Sequence, residues 1–184
     1  HAHSTSIITS PTSTTAVCCD LGSDAIISFA MNTTTNNKTG DISLQCIEKN
    51  RLAAPPGSGP RSLMFNPVYT NIAIVSLEMT AEVWLIKQVG DRFEGLGNPV
   101  SLLPENWPEE SANENQYNNG KWASDAVFSP DGKYVYAAAR LHNTIAVFEV
   151  VFAPSKSTSS ESVAIEGLKL IQRVPTGLTP RCLC

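Results

Sequence analysis

Short apolar runs separated by turn residues dominate the sequence. Runs rich in Val, Ile, Ala and aromatic residues, such as 72–78 and 134–140, end at Gly, Pro, Asn, Asp or Ser. Runs of this kind are typical of β-strands. No stretch of roughly eleven or more residues carries the apolar stripe of an amphipathic helix. The pattern therefore predicts an all-β protein.

One strand–turn–strand pattern occurs three times along the chain. Each copy begins at a Ser-Pro or Asn-Pro turn, continues as an apolar strand with a polar end, and adds a short turn and a second strand. The polar ends align as Asp20, Glu78 and Arg140, which are 58 and 62 residues apart. A further short strand follows in each copy, at 40–44, 92–96 and 167–171.

A repeat of this length with roughly four short strands indicates the blades of a β-propeller. A β-sandwich would not repeat in this way, and a β-helix has a shorter period. We predict that residues 1–184 form a single domain of about three to four blades. Since the smallest closed propellers need about four blades, we expect these to be part of a larger ring.

Three segments interrupt the repeat, at 32–39, 103–121 and 154–163, and each is predicted to be a surface loop. The first contains two glycosylation sequons, at Asn32 and Asn37. Glycosylation there would place the protein outside the cell. We therefore expect an extracellular glycoprotein, with a cytoplasmic location as the alternative.

Composition excludes several classes of protein. The 184 residues are 42% hydrophobic and 16% charged, with a formal net charge of −4. They can bury a core, and the acidic balance argues against a nucleic-acid partner. No apolar run approaches the roughly 18–20 residues that cross a bilayer, so no membrane association is expected. The first residue is His1 and no signal-like segment follows it, so we expect that a signal was removed or that the chain lies inside a longer protein.

Neither the cysteines nor any known motif indicates a metal or a cofactor. None of the cysteines is spaced as a Cys-x-x-Cys pair, so a zinc site is not expected and buried unpaired thiols are predicted. Phosphate-binding loops, dinucleotide motifs and the Ser-His-Asp order are also missing. The cysteines are Cys18, Cys19, Cys46, Cys182 and Cys184.

Basic and imidazole groups precede the predicted first strands of the blades, which line the central channel of a propeller. Arginine forks bind carboxylate or phosphate, and a Glu or His can move a proton. This set suits a small anionic substrate. We predict catalytic roles for His3 and Glu78 and substrate binding by Arg61, Arg140 and Arg181.

Each candidate also has a purely structural interpretation. Arg61 follows Gly57-Ser58-Gly59-Pro60 and could do no more than close a turn. Glu78 could be a solvated loop carboxylate. Arg140 follows three alanines that shield it poorly, and it could pair with Glu78 or Asp20. Asp20 itself is expected to stabilise the turn that follows it.

The ordered set of motifs resembles the lactonase family of seven-bladed propellers, over nearly the whole chain. That family includes propeller-type 6-phosphogluconolactonases and fungal carboxy-cis,cis-muconate cyclases. The motifs are His1-Ala2-His3-Ser4, Asp20-Leu21-Gly22-Ser23-Asp24, Gly57-Ser58-Gly59-Pro60-Arg61, the Glu78 strand end, Ser129-Pro130-Asp131-Gly132-Lys133, Ala139-Arg140 and Thr179-Pro180-Arg181.

The resemblance implies a seven-bladed ring about twice as long as this chain. It also implies an active cleft near the channel, with His3, Arg61, Glu78 and Arg140 as its His, Arg and Glu residues. Hydrolysis of a phosphorylated sugar lactone is the first expectation. Cyclisation of a tricarboxylate such as carboxymuconate is the second, and a secreted propeller that only binds partners is the third. In the first two, no cofactor is expected.

Overall fold

The computed structural model describes residues 4–9, 15–36, 38–107, 121–153 and 165–183. These residues form three antiparallel sheets that follow one another along the chain. Blade 1 contains β1 (Ser4–Thr9), β2 (Thr15–Asp20), β3 (Ala25–Thr35) and β4 (Ile42–Ala53), in that spatial order. A single 3₁₀ turn at Leu21–Ser23 joins β2 to β3. No helix among the described residues is long and apolar enough to cross a membrane.

Blades 2 and 3 repeat this order. Blade 2 contains β5 (Pro60–Phe65), β6 (Ile72–Leu77), β7 (Glu82–Val89) and β8 (Arg92–Gly95), and β9 (Val100–Ser101) pairs with β7. Blade 3 contains β10 (Ala123–Phe128), β11 (Tyr134–Ala139), β12 (Thr144–Phe152) and β13 (Ile165–Pro175). The first strands lie together, since β5 contacts both β1 and β10. The all-β propeller architecture predicted from the sequence is therefore confirmed.

The blades pack face to face through two apolar layers. Alternate residues of a strand point to opposite faces of its sheet, so one blade can serve both layers. In β6, Ala73 and Val75 face blade 1, whereas Ile72 and Ile74 face blade 3. All four side chains are at most 4% exposed. Blade 2 is thus covered on both faces.

One face of blade 3 is not covered by another blade in the part of the chain that the structure describes. On the side away from blade 2, Tyr134, Tyr136, Ile145 and Val147 line a shallow groove of about 380 Å³ together with β13. The matching positions of blade 2 hold Ile72, Ile74, Val83 and Leu85, which are buried against blade 3. The groove of blade 3 therefore corresponds to the face of blade 2 on which blade 3 packs.

Hydrogen bonds from a side chain also join neighbouring blades. Asn66 Nδ2 donates to the carbonyl of Gly132 at 2.9 Å, and Asn66 Oδ1 accepts from the amides of Val68 and Tyr69. Gly132 has a φ of +70°, and a Cβ on it would lie 2.4 Å from Asn66 Oδ1. The Ser-Pro-Asp-Gly-Lys turn of blade 3 thus needs its glycine for both reasons.

The repeat register predicted from the sequence is wrong by one residue in blade 1. Last strand residues Asp20, Leu77 and Ala139 pair with Ala25, Glu82 and Thr144, so each following turn has four residues. The residue of blade 1 that is equivalent to Glu78 in blade 2 and Arg140 in blade 3 is therefore Leu21, not Asp20. Asp20 instead stabilises the turn, as predicted, by accepting from the amide of Ser23 at 3.3 Å.

Two other local predictions need correction. Residues 32–35 belong to β3, where Asn32 pairs with Gln45, so the predicted loop at 32–39 is only a short turn at the end of a long hairpin. Cys18 and Cys19 are buried as expected, and burial raises the pKa of the Cys19 thiol. Cys46 and Cys182, however, are exposed. Cys184 lies outside the described residues, and so do two predicted site residues, Asn37 and His3.

Candidate functional site

One carboxylate binds two arginines where blades 2 and 3 meet. Arg61 Nη1 donates to Glu78 Oε2 at 2.5 Å, and Arg140 Nη1 donates to Glu78 Oε1 at 2.8 Å. The side chains of Glu78 and Arg140 are 12% and 6% exposed, and that of Arg61 is 34% exposed. The structure thus brings together three of the residues selected from the sequence.

A β-bulge sets the position of Arg61. Pro60 pairs with Leu77 and Ser62 pairs with Ser76, so Arg61 is the extra residue between two regular pairs of β5 and β6. A bulge redirects the side chain of the extra residue out of the regular alternation. Arg61 can therefore reach Glu78, which follows the last residue of β6.

The segment before Arg61 is held by blade 1. The carboxylate of Asp24 accepts from the amides of Gly57 at 2.7 Å and Gly59 at 2.8 Å. Gly59 has a φ of +60°, a conformation that glycine adopts without strain. Asp24 therefore fixes the path of the backbone that leads into Arg61.

Glu78 and Arg140 occupy the same position in successive blades, and backbone hydrogen bonds hold both turns. The Glu78 carbonyl accepts from the amide of Ala123 at 3.0 Å. The Arg140 amide donates to the carbonyl of Trp122 at 2.7 Å. Both bonds use the segment that leads into β10, so the geometry of the pair depends on how blade 3 packs on blade 2.

Trp122 covers Arg140. The guanidinium carbon lies 4.6 Å from the centroid of the Trp122 ring, within the range of a cation–π contact. The prediction that small alanines leave Arg140 poorly shielded is therefore wrong, because an indole from the preceding segment covers it. An aromatic residue just before a blade's first strand was a sequence signal that could have identified this role.

Burial lowers the pKa of Arg140, and Glu78 opposes that effect. The charges of Arg181 and Arg61 lower it further, which places Arg181 within electrostatic range of Arg140. Arg181 is exposed and follows Pro180, whose carbonyl accepts from Ser124 Oγ at 2.7 Å. The three arginines and Glu78 together therefore carry a net positive charge, which favours an anion.

Three buried polar atoms in the segments that carry or contact these residues are unpaired among the described residues. Ser58 Oγ, Trp122 Nε1 and Arg140 Nε are buried and have no hydrogen-bond partner within the part of the chain that the structure describes. Buried donors of this kind are rare in folded proteins, because leaving them unpaired costs free energy. They provide bonding capacity for an acceptor that enters beside Arg140. No group of His, Cys, Asp and Glu among the described residues could hold a metal ion.

Comparison with known proteins decides the family. The family described as "Lactonase, 7-bladed beta-propeller" matches residues 1–181. The chain belongs to this family. Lactonase-family relatives include the 6-phosphogluconolactonase of Enterobacter sp. (strain 638), which is 25% identical over 138 residues. The enzyme of the same name from Klebsiella pneumoniae (strain 342) is 26% identical over 144 residues.

The chain spans less than half the length of these relatives. The two alignments cover 74% and 78% of this chain but 37% and 38% of the relatives. Among solved structures, the periplasmic gluconolactonase PpgL of Pseudomonas aeruginosa superposes with a TM-score of 0.68 at 21% identity, over 97% of this chain and 42% of its own. A putative 6-phosphogluconolactonase from Bacteroides fragilis gives 0.66 at 25% identity, over 98% and 44%. These likenesses confirm the lactonase propeller fold and a partial ring.

Proposed function

We propose that this chain contributes the arginine–glutamate part of the active site of a lactonase that hydrolyses an anionic sugar lactone of the 6-phosphogluconolactone type. The observation that carries the proposal is the Glu78 carboxylate held between Arg61 and Arg140. Family membership and the names of the two curated relatives support the same reaction. The substrate would be small and anionic, and the reaction needs no cofactor.

Hydrolysis of a lactone requires an activated water and a group that stabilises the oxyanion. Arg61 is the most exposed of the three paired side chains and suits the phosphate of the substrate. Arg140 has a buried Nε with no partner among the described residues, so it can donate to the oxyanion that forms at the lactone carbonyl.

The geometry favours a positioning role for Glu78. Both of its oxygens accept from guanidinium groups, so each has fewer free lone pairs for a proton from water. We therefore assign the activation of water first to His3 and keep Glu78 as the alternative base. In either case Glu78 orients the two arginines towards one substrate.

One observation favours cyclisation of carboxymuconate as a second candidate. Arg61, Arg140 and Arg181 are three cations near one another, and a tricarboxylate presents three anions. In that reaction the arginines would hold the carboxylates while His3 or Glu78 delivers a proton to the enolate-like carbon.

Activity assays on the full-length protein test both reactions. Acid release from 6-phosphogluconolactone reports hydrolysis, and loss of the diene absorbance of carboxymuconate reports cyclisation. We expect Arg61→Ala to lower kcat/KM by about 100-fold or more, since one charged donor is lost. Arg51→Ala is the matched control, because Arg51 is exposed in an ion pair of blade 1. Turnover of neither substrate would favour the third interpretation, a propeller that only binds partners.

An extracellular location is also proposed. Asn32 is exposed near the end of the long β3–β4 hairpin, so a glycan could be attached there without disturbing the core. Intact mass of the protein from its native host tests this, and a mass without sugar at Asn32 and Asn37 would favour the cytoplasmic alternative.

A further inference from the structure

A cavity of about 460 Å³ lies beside the turn 78–81, which begins at Glu78. Thr80 contributes to its wall and lies two residues after Glu78, so their Cα atoms are within about 7.6 Å. Lys121, also in the wall, directly precedes Trp122. Glu82, Glu105, Leu103 and Trp107 complete much of the lining. The cavity is therefore a neighbour of the arginine site rather than part of it.

The charge of this cavity is opposite to that of the arginine site. Among the described residues that line it, Glu82 and Glu105 outnumber the single cation Lys121. A carboxylate or phosphate would be repelled by the two carboxylates and attracted to the neighbouring arginines. An anionic group is thus expected at the arginine site and an uncharged group in this cavity.

The lining chemistry suits a ring that carries many hydroxyl groups. An indole offers a flat apolar surface for the C–H face of such a ring. Carboxylates accept strong hydrogen bonds from hydroxyls. Thr80 also lines the cavity, and its Oγ1 is buried with no hydrogen-bond partner among the residues that the structure describes.

The wall that carries Trp107 is anchored at several points. Arg173 of β13 donates from Nε to the carbonyl of Leu102 and from Nη2 to that of Leu103, both at 2.6 Å. The Trp107 amide closes a turn on the Pro104 carbonyl at 3.0 Å. These bonds fix the segment between β9 and Trp107 against blade 3.

His142 orients the indole. Its ring meets Trp107 edge to face, with centroids 4.7 Å apart, and its Nδ1 lies 2.7 Å from Thr144 Oγ1. Burial and the charge of Arg173 lower the pKa of His142, so the imidazole is neutral near pH 7. His142 is half-buried, and its contact with Trp107 forms this aromatic wall in advance of any ligand.

We propose that this cavity is a subsite for a neutral saccharide, which stacks on Trp107 and donates hydroxyl hydrogen bonds to Glu82 and Glu105. The proposal goes beyond the lactonase function, because binding of an unreactive sugar needs no turnover. That the arginines would hold the anionic end of the same ligand rests on the proposed function.

Calorimetric titration of the full-length protein with cellobiose and D-glucose tests the subsite, with D-gluconate as the anionic probe. We expect a Kd for cellobiose of about 1–10 mM. Trp107→Ala should weaken cellobiose binding at least about tenfold, since a rigid aromatic anchor is lost. Glu105→Gln changes an exposed residue that is not part of the core, and it should weaken binding about fivefold while the protein remains folded.

Arg61→Ala is the control that separates the two sites. It should leave cellobiose binding unchanged while weakening gluconate binding. The proposal is overturned if cellobiose does not bind, if Arg61→Ala weakens its binding as much as Glu105→Gln does, or if gluconate binding depends on Glu105 and cellobiose binding does not. Failure of the lactonase assays would leave these titrations interpretable, because they measure no catalysis.

Discussion

The turns after the second strands of the three blades have the same backbone and different chemistry. Each has four residues, at 21–24, 78–81 and 140–143, and each ends at a residue in the left-handed region. These last residues are Asp24 with a φ of 48°, Ala81 with 53° and Asn143 with 56°. The carbonyl of each accepts from the chain further on, at Ala54, Leu102 and Thr176. The scaffold is therefore repeated even where the function is not.

The first positions of the turns differ most. Leu21 packs against Gly59, where a Cβ would lie 3.2 Å from Leu21 Cγ. Glu78 and Arg140 instead pair with each other across a blade boundary at 2.8 Å. A position of the repeat that serves packing in blade 1 serves the candidate site in blades 2 and 3. Repetition thus supplies the geometry, and single substitutions supply the chemistry.

Replacing Glu78 of blade 2 by leucine, the residue at the equivalent position of blade 1, should have the largest effect. Glu78→Leu leaves the guanidinium of Arg140, which is 6% exposed, without its carboxylate. Removing one partner of a buried pair costs about 3 kcal/mol or more of the free energy of unfolding. We expect a loss of that size in urea unfolding of the full-length protein, and the disappearance of whichever activity it has.

A double variant controls for the cause of this loss. Glu78→Leu with Arg140→Leu removes the uncompensated charge and replaces the pair by apolar groups, which is often neutral for stability. It should regain much of the lost stability while remaining inactive. If the double variant were less stable than Glu78→Leu alone, the loss would not come from an unpaired buried charge.

The strand pattern was predictable because most strands are short apolar runs that end at a turn residue. The register of blade 1 was not, because a polar residue at a strand end looks the same in sequence whether it closes the strand or begins the turn. Asp20 pairs with Ala25 and is therefore the last strand residue, whereas Glu78 and Arg140 begin turns. Aligning Asp24 with Asn143, residues tolerant of the left-handed region, would have given the right register.

The residue types of the site could be selected from the sequence, but the sequence left both Glu78 and Asp20 as partners for Arg140, and the structure shows that the partner is Glu78. Glu78 and Arg140 are separated by 62 residues, and they meet only because blade 3 packs on blade 2. The role of Trp122 depends on the same packing. Periodicity within one sheet carries no information about which side chains meet between sheets.

Removing the indole over Arg140 should have the next largest effect. Trp122→Leu keeps an apolar side chain and abolishes a cation–π contact of 4.6 Å, which is worth up to about 2 kcal/mol when desolvated. We expect a loss of this order in the free energy of unfolding and a raised KM. Trp122→Phe retains an aromatic face and should lose less. Equal losses in the two variants would show that the Trp122 ring acts by packing alone.

The blade 1 turn reaches the site only indirectly, through Asp24. Asp24→Gly keeps a residue that tolerates the left-handed region but removes the acceptor of the Gly57 and Gly59 amides. We expect a loss of about 1 kcal/mol in stability and a raised KM with little change in kcat, because Arg61 is positioned less well. Asp24→Asn keeps one acceptor and should restore much of the KM. A fall in kcat alone, with KM unchanged, would contradict this positioning role.

The smallest effect is expected at an ion pair made of the same residue types in the outer strand of blade 1. Arg51 Nε lies 3.3 Å from Glu48 Oε1, and both side chains are 46% exposed. Solvent screens such a pair, so Glu48→Gln should change the free energy of unfolding by less than about 0.5 kcal/mol and leave kcat/KM unchanged. Urea unfolding and steady-state kinetics measured beside Glu78→Leu check this. A loss at Glu48 close to that at Glu78 would mean that burial between blades is not what distinguishes the site.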